Sequence, residues 1–159
     1  MKNQIFKRII FAAVLLLSAY PLFSQITIND GLYYTSPLMN ELYSGNYEEY
    51  YSNGQKKLSL HVSEGKLDGQ YISYFESGQT EEIRSYKDGL FHGDWKTYNR
   101  SGTLIAEASY NDNQKNGKWT VWDDDGTKRY EMYYDNGKRI GTWLMWDEKG
   151  KLLAQKKYD

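Results

Sequence analysis

A spacing of 24 residues governs this chain. Glycine followed two positions later by an aromatic ring occurs at Gly45, Gly69, Gly93, Gly117 and Gly141. A second glycine keeps the same interval at Gly54, Gly78, Gly102, Gly126 and Gly150. A fixed period of this length marks a tandem array, whose units each bury too little to stand alone and lean on their neighbours.

Three rows of side chains repeat with the glycines. The first holds Tyr47, Tyr71, Trp95, Trp119 and Trp143; the second holds Tyr50, Tyr74, Tyr98, Trp122 and Trp146. The third holds Val62, Tyr86, Tyr110, Tyr134 and Tyr158, so the rows take in all five tryptophans of the chain. Helix is a poor host for this pattern, because each interior glycine costs about 1 kcal/mol relative to alanine. The segment after Gly102 alternates instead. Leu104, Ala106, Ala108 and Tyr110 lie on one face, with Glu107 and Ser109 on the other, which is the strand period.

Each unit therefore reads as a β-hairpin. Its first turn is Asn53-Gly54, Ser77-Gly78, Ser101-Gly102, Asp125-Gly126 or Lys149-Gly150. Asn-Gly and Asp-Gly between apolar runs predict a two-residue turn with both residues left-handed. A second turn carries Gly65, Gly89, Asn113 and Gly137; asparagine is the residue that best replaces glycine in the left-handed region. The expected fold is all-β: an elongated, single-layer antiparallel meander, roughly 50 Å long at roughly 4.8 Å per strand. With a two-residue first turn, Trp95 shares a face with Leu104, Ala106, Ala108 and Tyr110. Tyr98 shares the other with Asp94, Lys96, Ile105 and Glu107.

Outside the array, residues 1–24 read as a secretory signal peptide. Lys2, Lys7 and Arg8 precede an apolar run from Ile9 to Leu17, and Ser24-Gln25 is the expected cleavage point. A spanning helix needs about 20 apolar residues, and Ser18, Tyr20 and Pro21 interrupt this one. Residues 25–44 read as an N-terminal capping segment and 45–159 as five repeats. Losing Lys2, Lys7 and Arg8 takes the formal charge from −1 to −4, which argues against nucleic acid as a partner. The chain has no cysteine, which excludes disulfides, cysteine-ligated metal and lipid attachment at a cysteine.

The run Tyr86-Lys87-Asp88-Gly89-Leu90-Phe91-His92-Gly93-Asp94-Trp95, echoed by Tyr134 to Trp143, resembles the MORN repeat (membrane occupation and recognition nexus) over residues 45–159. Tryptophan at 95, 119 and 143 and the extra aromatic at 98 and 122 make it similar to the variant repeat of bacterial antitoxin-like proteins. The resemblance implies a non-enzymatic interaction scaffold. Lipid binding, often suggested for the family, fits poorly with a chain lacking a basic cluster.

No catalytic set, cofactor site or metal site is expected. Asp123-Asp124-Asp125-Gly126 has the look of a calcium loop, but the acid such a loop needs at position 132 is Met132. His61 and His92 occupy different repeat positions, and Glu81 and Glu82 alternate faces on a strand. The partner-binding residues expected are Tyr50, Tyr74, Tyr98, Trp122 and Trp146, rings set among charges on the wetter face. The expected function is an exported scaffold binding a protein partner in the cell envelope. An antitoxin-like or immunity-like inhibitor and a glycan-binding envelope module are the alternatives. Mass spectrometry of protein from its host checks the export reading: the mature chain should begin at Gln25, and an intact Met1 would refute it.

Overall fold

The computed structural model describes residues 26–159; the expected leader and cleavage point lie outside them. Among the described residues all regular structure is strand. A small hairpin, β1 (Thr27–Asn29) and β2 (Leu32–Tyr34), precedes the main sheet. That sheet takes β3 (Gly45–Tyr50), β4 (Lys56–Ser63), β5 (Lys66–Tyr74), β6 (Thr80–Lys87) and β7 (Leu90–Tyr98). It continues with β8 (Leu104–Asn111), β9 (Gln114–Lys115), β10 (Gly117–Trp122), β11 (Lys128–Asp135), β12 (Lys138–Trp146) and β13 (Leu152–Tyr158). Strands pair antiparallel with their sequence neighbours, and the short β9 pairs with β8 beside β10. The fold is the all-β meander of tandem hairpins that the period predicts, and it is not closed into a barrel.

The two turns divide their work differently from the expectation. At the first turn Gly102 N–H donates to Asn99 O and Asn99 N–H to Thr103 O, both at 2.9 Å. This is a three-residue loop in which Gly102 alone has positive φ, 82°. Asn99 closes it by accepting the backbone N–H groups of Ser101 and Thr103 on Oδ1, each at 3.0 Å. The left-handed pairs sit in the second turn instead: Glu64-Gly65 (47°, 77°), Asp88-Gly89 (51°, 82°), Asp112-Asn113 (46°, 67°) and Asn136-Gly137 (45°, 84°). These are the two-residue turns whose twist suits a hairpin.

The first-turn loop shifts the register by one. Thr97 faces Ala106, yet Tyr98 faces Leu104. Leu104 thus shares the face of Tyr98, and the extra residue of the bulge, Ile105, joins a depression with Phe75, Glu81 and Thr97 on the Trp95 side. Both placements reverse those expected from a two-residue turn. A second irregularity lies at the opening glycines. Arg84 faces Trp95 and Tyr86 faces Phe91, so three residues on β7 oppose one on β6. Gly93 stands in that gap with φ 88°, where an added Cβ would come 3.4 Å from the Ser85 Cβ.

Residues 26–43 pack on the first repeat. Tyr33 N–H donates to Gly65 O at 2.9 Å and Tyr43 N–H to Tyr33 O at 2.9 Å, which fixes the segment against the β4–β5 turn. Tyr33, Leu60 and Val62 form the buried cluster, joined by Ile26, Tyr43, Tyr47, Leu58, Leu67 and Tyr71. The turns then stack from repeat to repeat: Gly89 N–H donates to Leu67 O, Asn113 to Phe91 O and Gly137 to Lys115 O, at 2.8–2.9 Å.

Gly137 offers a clean measure of the backbone requirement, because an added Cβ meets nothing within 4 Å. Gly137→Ala should cost about 1–2 kcal/mol in urea unfolding, from left-handed strain alone. Asn113→Gly keeps the left-handed conformation but loses the hydrogen bond that Asn113 Oδ1 accepts from Phe91 N–H at 2.8 Å, and should cost about 0.5–1 kcal/mol.

Candidate functional site

Cross-strand partners share a face, so the pairings sort the three rows. The first and third rows lie together and interdigitate. Ring centroids run Tyr86–Phe91 5.2 Å, Phe91–Trp95 5.1 Å, Trp95–Tyr110 5.2 Å, Tyr110–Trp119 5.1 Å, Trp119–Tyr134 5.4 Å, Tyr134–Trp143 5.1 Å and Trp143–Tyr158 4.8 Å. Tyr71 joins at 6.3 Å from Tyr86. Tilted and edge contacts of this kind stabilise beyond the area they bury. The indoles are also pinned: Trp119 Nε1–H donates to Ser109 O at 3.0 Å and Trp143 Nε1–H to Tyr133 O at 3.1 Å. Burial pushes the hydroxyls of Tyr71 and Tyr110 above the ordinary tyrosine pKa. These two hydroxyls therefore stay protonated across the physiological range.

Cations lie over the same rings. The Arg84 guanidinium sits 5.3 Å from the centre of Tyr71 and 4.6 Å from that of Trp95. Lys115 lies 4.4 Å from Trp119 and 5.1 Å from Tyr134; Arg139 lies 5.0 Å from Trp143 and 5.7 Å from Tyr158. Leu67, Phe91, Lys115 and Arg139 are one repeat position. The same place is thus filled by an aliphatic residue, then a ring, then two cations. Each such cation contributes about 0.5–1 kcal/mol at an exposed site. Glu82 accepts from Trp95 Nε1–H and pairs with Arg84 at 2.6 Å. Two side-chain-scale depressions open on this face. One, of about 300 Å³, is lined by Tyr130, Met132, Trp143, Met145, Ala154 and Lys156. The other lies between Trp95 and Trp119.

The residues expected to bind a partner lie on the opposite, polar face. Tyr50 is 57% exposed and its hydroxyl donates to Glu48. Tyr74, Tyr98, Trp122 and Trp146 are half-buried. They face Thr80, Leu104, Lys128 and Leu152 across the strand pair. Lys128 bonds Glu131 at 2.8 Å and reaches 5.2 Å from the Trp146 ring centre. That hydrogen bond holds the Glu131 carboxyl below its ordinary pKa. No ring contact joins two members of this row among the described residues. Successive members stand two strands apart, roughly 10 Å.

Asp123, Asp125 and His92 serve the turns, while His61 bonds across β3 and β4. Thr127 N–H donates to Asp123 Oδ1 at 2.9 Å and to Asp125 Oδ1 at 2.8 Å. His61 Nδ1 meets Asn46 at 2.8 Å and His92 Nδ1 meets Asp112 at 3.0 Å. His92 and Asp112 make a pair that their positions 20 residues apart did not announce; the hairpin register brings β7 and the β8–β9 turn together. Among the described residues no three His, Cys, Asp or Glu side chains converge as metal ligands.

The two faces differ in what a lost ring costs. Trp119→Ala removes two ring contacts and an indole hydrogen bond, and should destabilise by about 3 kcal/mol in urea unfolding. Trp122→Ala has no ring contact to lose and should cost about 1 kcal/mol.

Residues 67–88, 91–112 and 115–138 match the family described as the MORN repeat variant. Each matched unit spans one hairpin of the sheet, β5–β6, β7–β8 and β9 through β11, together with its closing turn. A search of curated proteins found no match. Residues 67–138 therefore carry three tandem units of the MORN repeat variant, folded as three successive hairpins of one meander.

Proposed function

We propose that the protein is an exported, non-enzymatic scaffold that holds a protein partner on the polar face of its sheet in the cell envelope. A repeat array of this family is a platform for interaction, and the finer reading rests on one contrast. The ladder rings are committed to one another, whereas the rings of Tyr98, Trp122 and Trp146 touch no other ring of the array. Half-buried aromatics set among charges, each fixed at its base by a cross-strand partner, are the residues that anchor protein interfaces at low entropic cost. Their regular spacing of roughly 10 Å suits a partner laid along the sheet, crossing the strands. Export follows from the charged start and apolar run of the first 24 residues.

Affinity capture from an envelope extract tests this reading, with a Tyr98→Ala/Trp122→Ala/Trp146→Ala variant run beside the natural protein. A single protein retained by the natural chain and lost by the folded variant is the expected result. Equal retention by both would refute the assignment of the face. Retention of no protein, with tryptophan fluorescence shifted by envelope polysaccharide, would replace a protein partner with a glycan.

A further inference from the structure

On the ladder face, one residue per repeat stands between consecutive rings of the first row. Leu60 faces both Tyr47 and Tyr71, and Arg84 faces both Tyr71 and Trp95. Ala108 faces Trp95, Met132 faces Trp119 and Lys156 faces Trp143. Leu60 and Arg84 lie between two rings, Met132 lines the depression beside Trp143, and Lys156 lies on the edge strand beyond the last ring. Alanine does not reach. The place it leaves is a hollow of about 190 Å³ floored by Ala106 and Ala108 and walled by Trp95, Trp119 and Tyr110. One aliphatic side chain fits within it, and Leu60 and Arg84 of the preceding repeats show what such a place takes.

Electrostatics narrow the choice. Arg84 already lies over Trp95, and Lys115 over Trp119. The carboxylate at the rim, Glu82, is engaged by Arg84 and by the Trp95 indole. A further cation would meet two like charges and no free acid. Lys115 forms no ion pair among the described residues. The hollow is therefore matched by an uncharged aliphatic side chain carried on an acidic segment.

The chain itself presents such a segment. Leu38, which follows Pro37 in the connection between β2 and β3, is 80% exposed. Beside it Met39 is 44% exposed and held at φ 52°. Residues 26–47 contain Asp30 and Glu41 and no lysine or arginine, while Glu48 and Glu49 beyond them are paired with Lys56 and Lys57. We propose that copies of this protein associate head to tail, Leu38 of one chain seated between Trp95 and Trp119 of the next. Knob and hollow are different parts of one surface, so the contact is heterologous and extends into open chains rather than closing as a two-fold dimer. The inference goes beyond the partner reading above and uses the opposite face of the sheet.

Sedimentation velocity of the full chain, from about 1 to about 200 μM, tests it. The molar mass of the natural protein should rise with concentration beyond that of a dimer. Leu38→Asp and Ala108→Met should each weaken association at least tenfold. Ala108→Met should also raise Tm by a few degrees, because its thioether chain occupies the hollow against Trp95 and Trp119. The chain lacks cysteine, so Leu38→Cys and Thr97→Cys chains can be mixed with a short bis-maleimide; Thr97 lines the hollow. Hetero-crosslinks in the mixture that unlabelled natural protein competes away are expected. A monomer at every concentration overturns the proposal. So does association unaltered by both substitutions, or crosslinking that ignores competitor. Capture of a different protein in the hollow, blocked by Ala108→Met, would overturn self-association and assign the site to that partner.

Discussion

A sheet one layer thick has no opposing layer to pack against. That constraint shapes every other feature of this molecule. In a sandwich the inner faces of two sheets bury one another, and the side chains between them form a core about 10 Å thick. Here, beyond the first repeat, apolar contact must come from within a single face, between neighbours separated by the strand spacing. Leucine and valine touch a cross-strand neighbour but cover little of its outer side. Indole and phenol rings lean across it. This is why the buried residues of the described chain are so few, and why ring contacts run without a break from Tyr71 to Tyr158. The 24-residue period is the length of two strands with their turns. It brings each row back onto the same face at every second strand, and the third row fills the strands between.

The two ends of the ladder solve the same problem by different chemistry. At the N-terminal end Tyr33 and Ile26 reach over Leu60, Val62 and Leu67, and a small conventional core results. Toward the C-terminal end the equivalent places hold Met132, Lys115, Arg139 and Lys156. Cations with long stems spread over rings and keep their charge in water, which covers apolar surface without a second layer. Such cover is weaker per residue than full burial, since an exposed cation over a ring contributes about 0.5–1 kcal/mol against about 1.5–3 kcal/mol for a fully buried aliphatic side chain.

Much of this architecture was legible in the residues. The period, the hairpin unit, the strand alternation of residues 104–110 and the joint use of the Trp95 and Tyr110 rows all follow from spacing and side-chain type. The turns were half legible. Asparagine or aspartate before glycine reads as a left-handed pair, but it reads equally as the end of a longer loop. The first turn closes as a three-residue loop where it follows Asn99, Asp123 or Asp147, whose side chains accept backbone N–H groups, and equally where it follows Tyr51 or Phe75, whose side chains do not. The second turn keeps the two-residue form, so the turn residues alone do not separate the two. One extra residue then exchanged the faces of Leu104 and Ile105, because side chains in a strand have a period of two. The bulge at Gly93 was hidden for a related reason. A glycine in register looks like the start of a unit, and only pairing shows that it lies inside a strand that begins at Leu90. The hollow at Ala108 was visible in outline as the one short member of its row, but its significance depends on knowing that the row lies between rings.

The same reasoning separates what each face contributes. A row whose members touch one another carries stability, and nearest-neighbour repeats transmit that stability along the array. A row whose members stand apart carries little, and the fold has less use for its rings. Tyrosine and tryptophan at Tyr98, Trp122 and Trp146 are expensive occupants of a half-exposed polar face if only the hairpin is at stake, since threonine or valine would serve a strand as well. The ladder accounts for the aromatic content of one face completely. The aromatic content of the other is left without a structural cause inside the chain, and that residue of unexplained ring surface is the physical ground for seeking its cause in a partner.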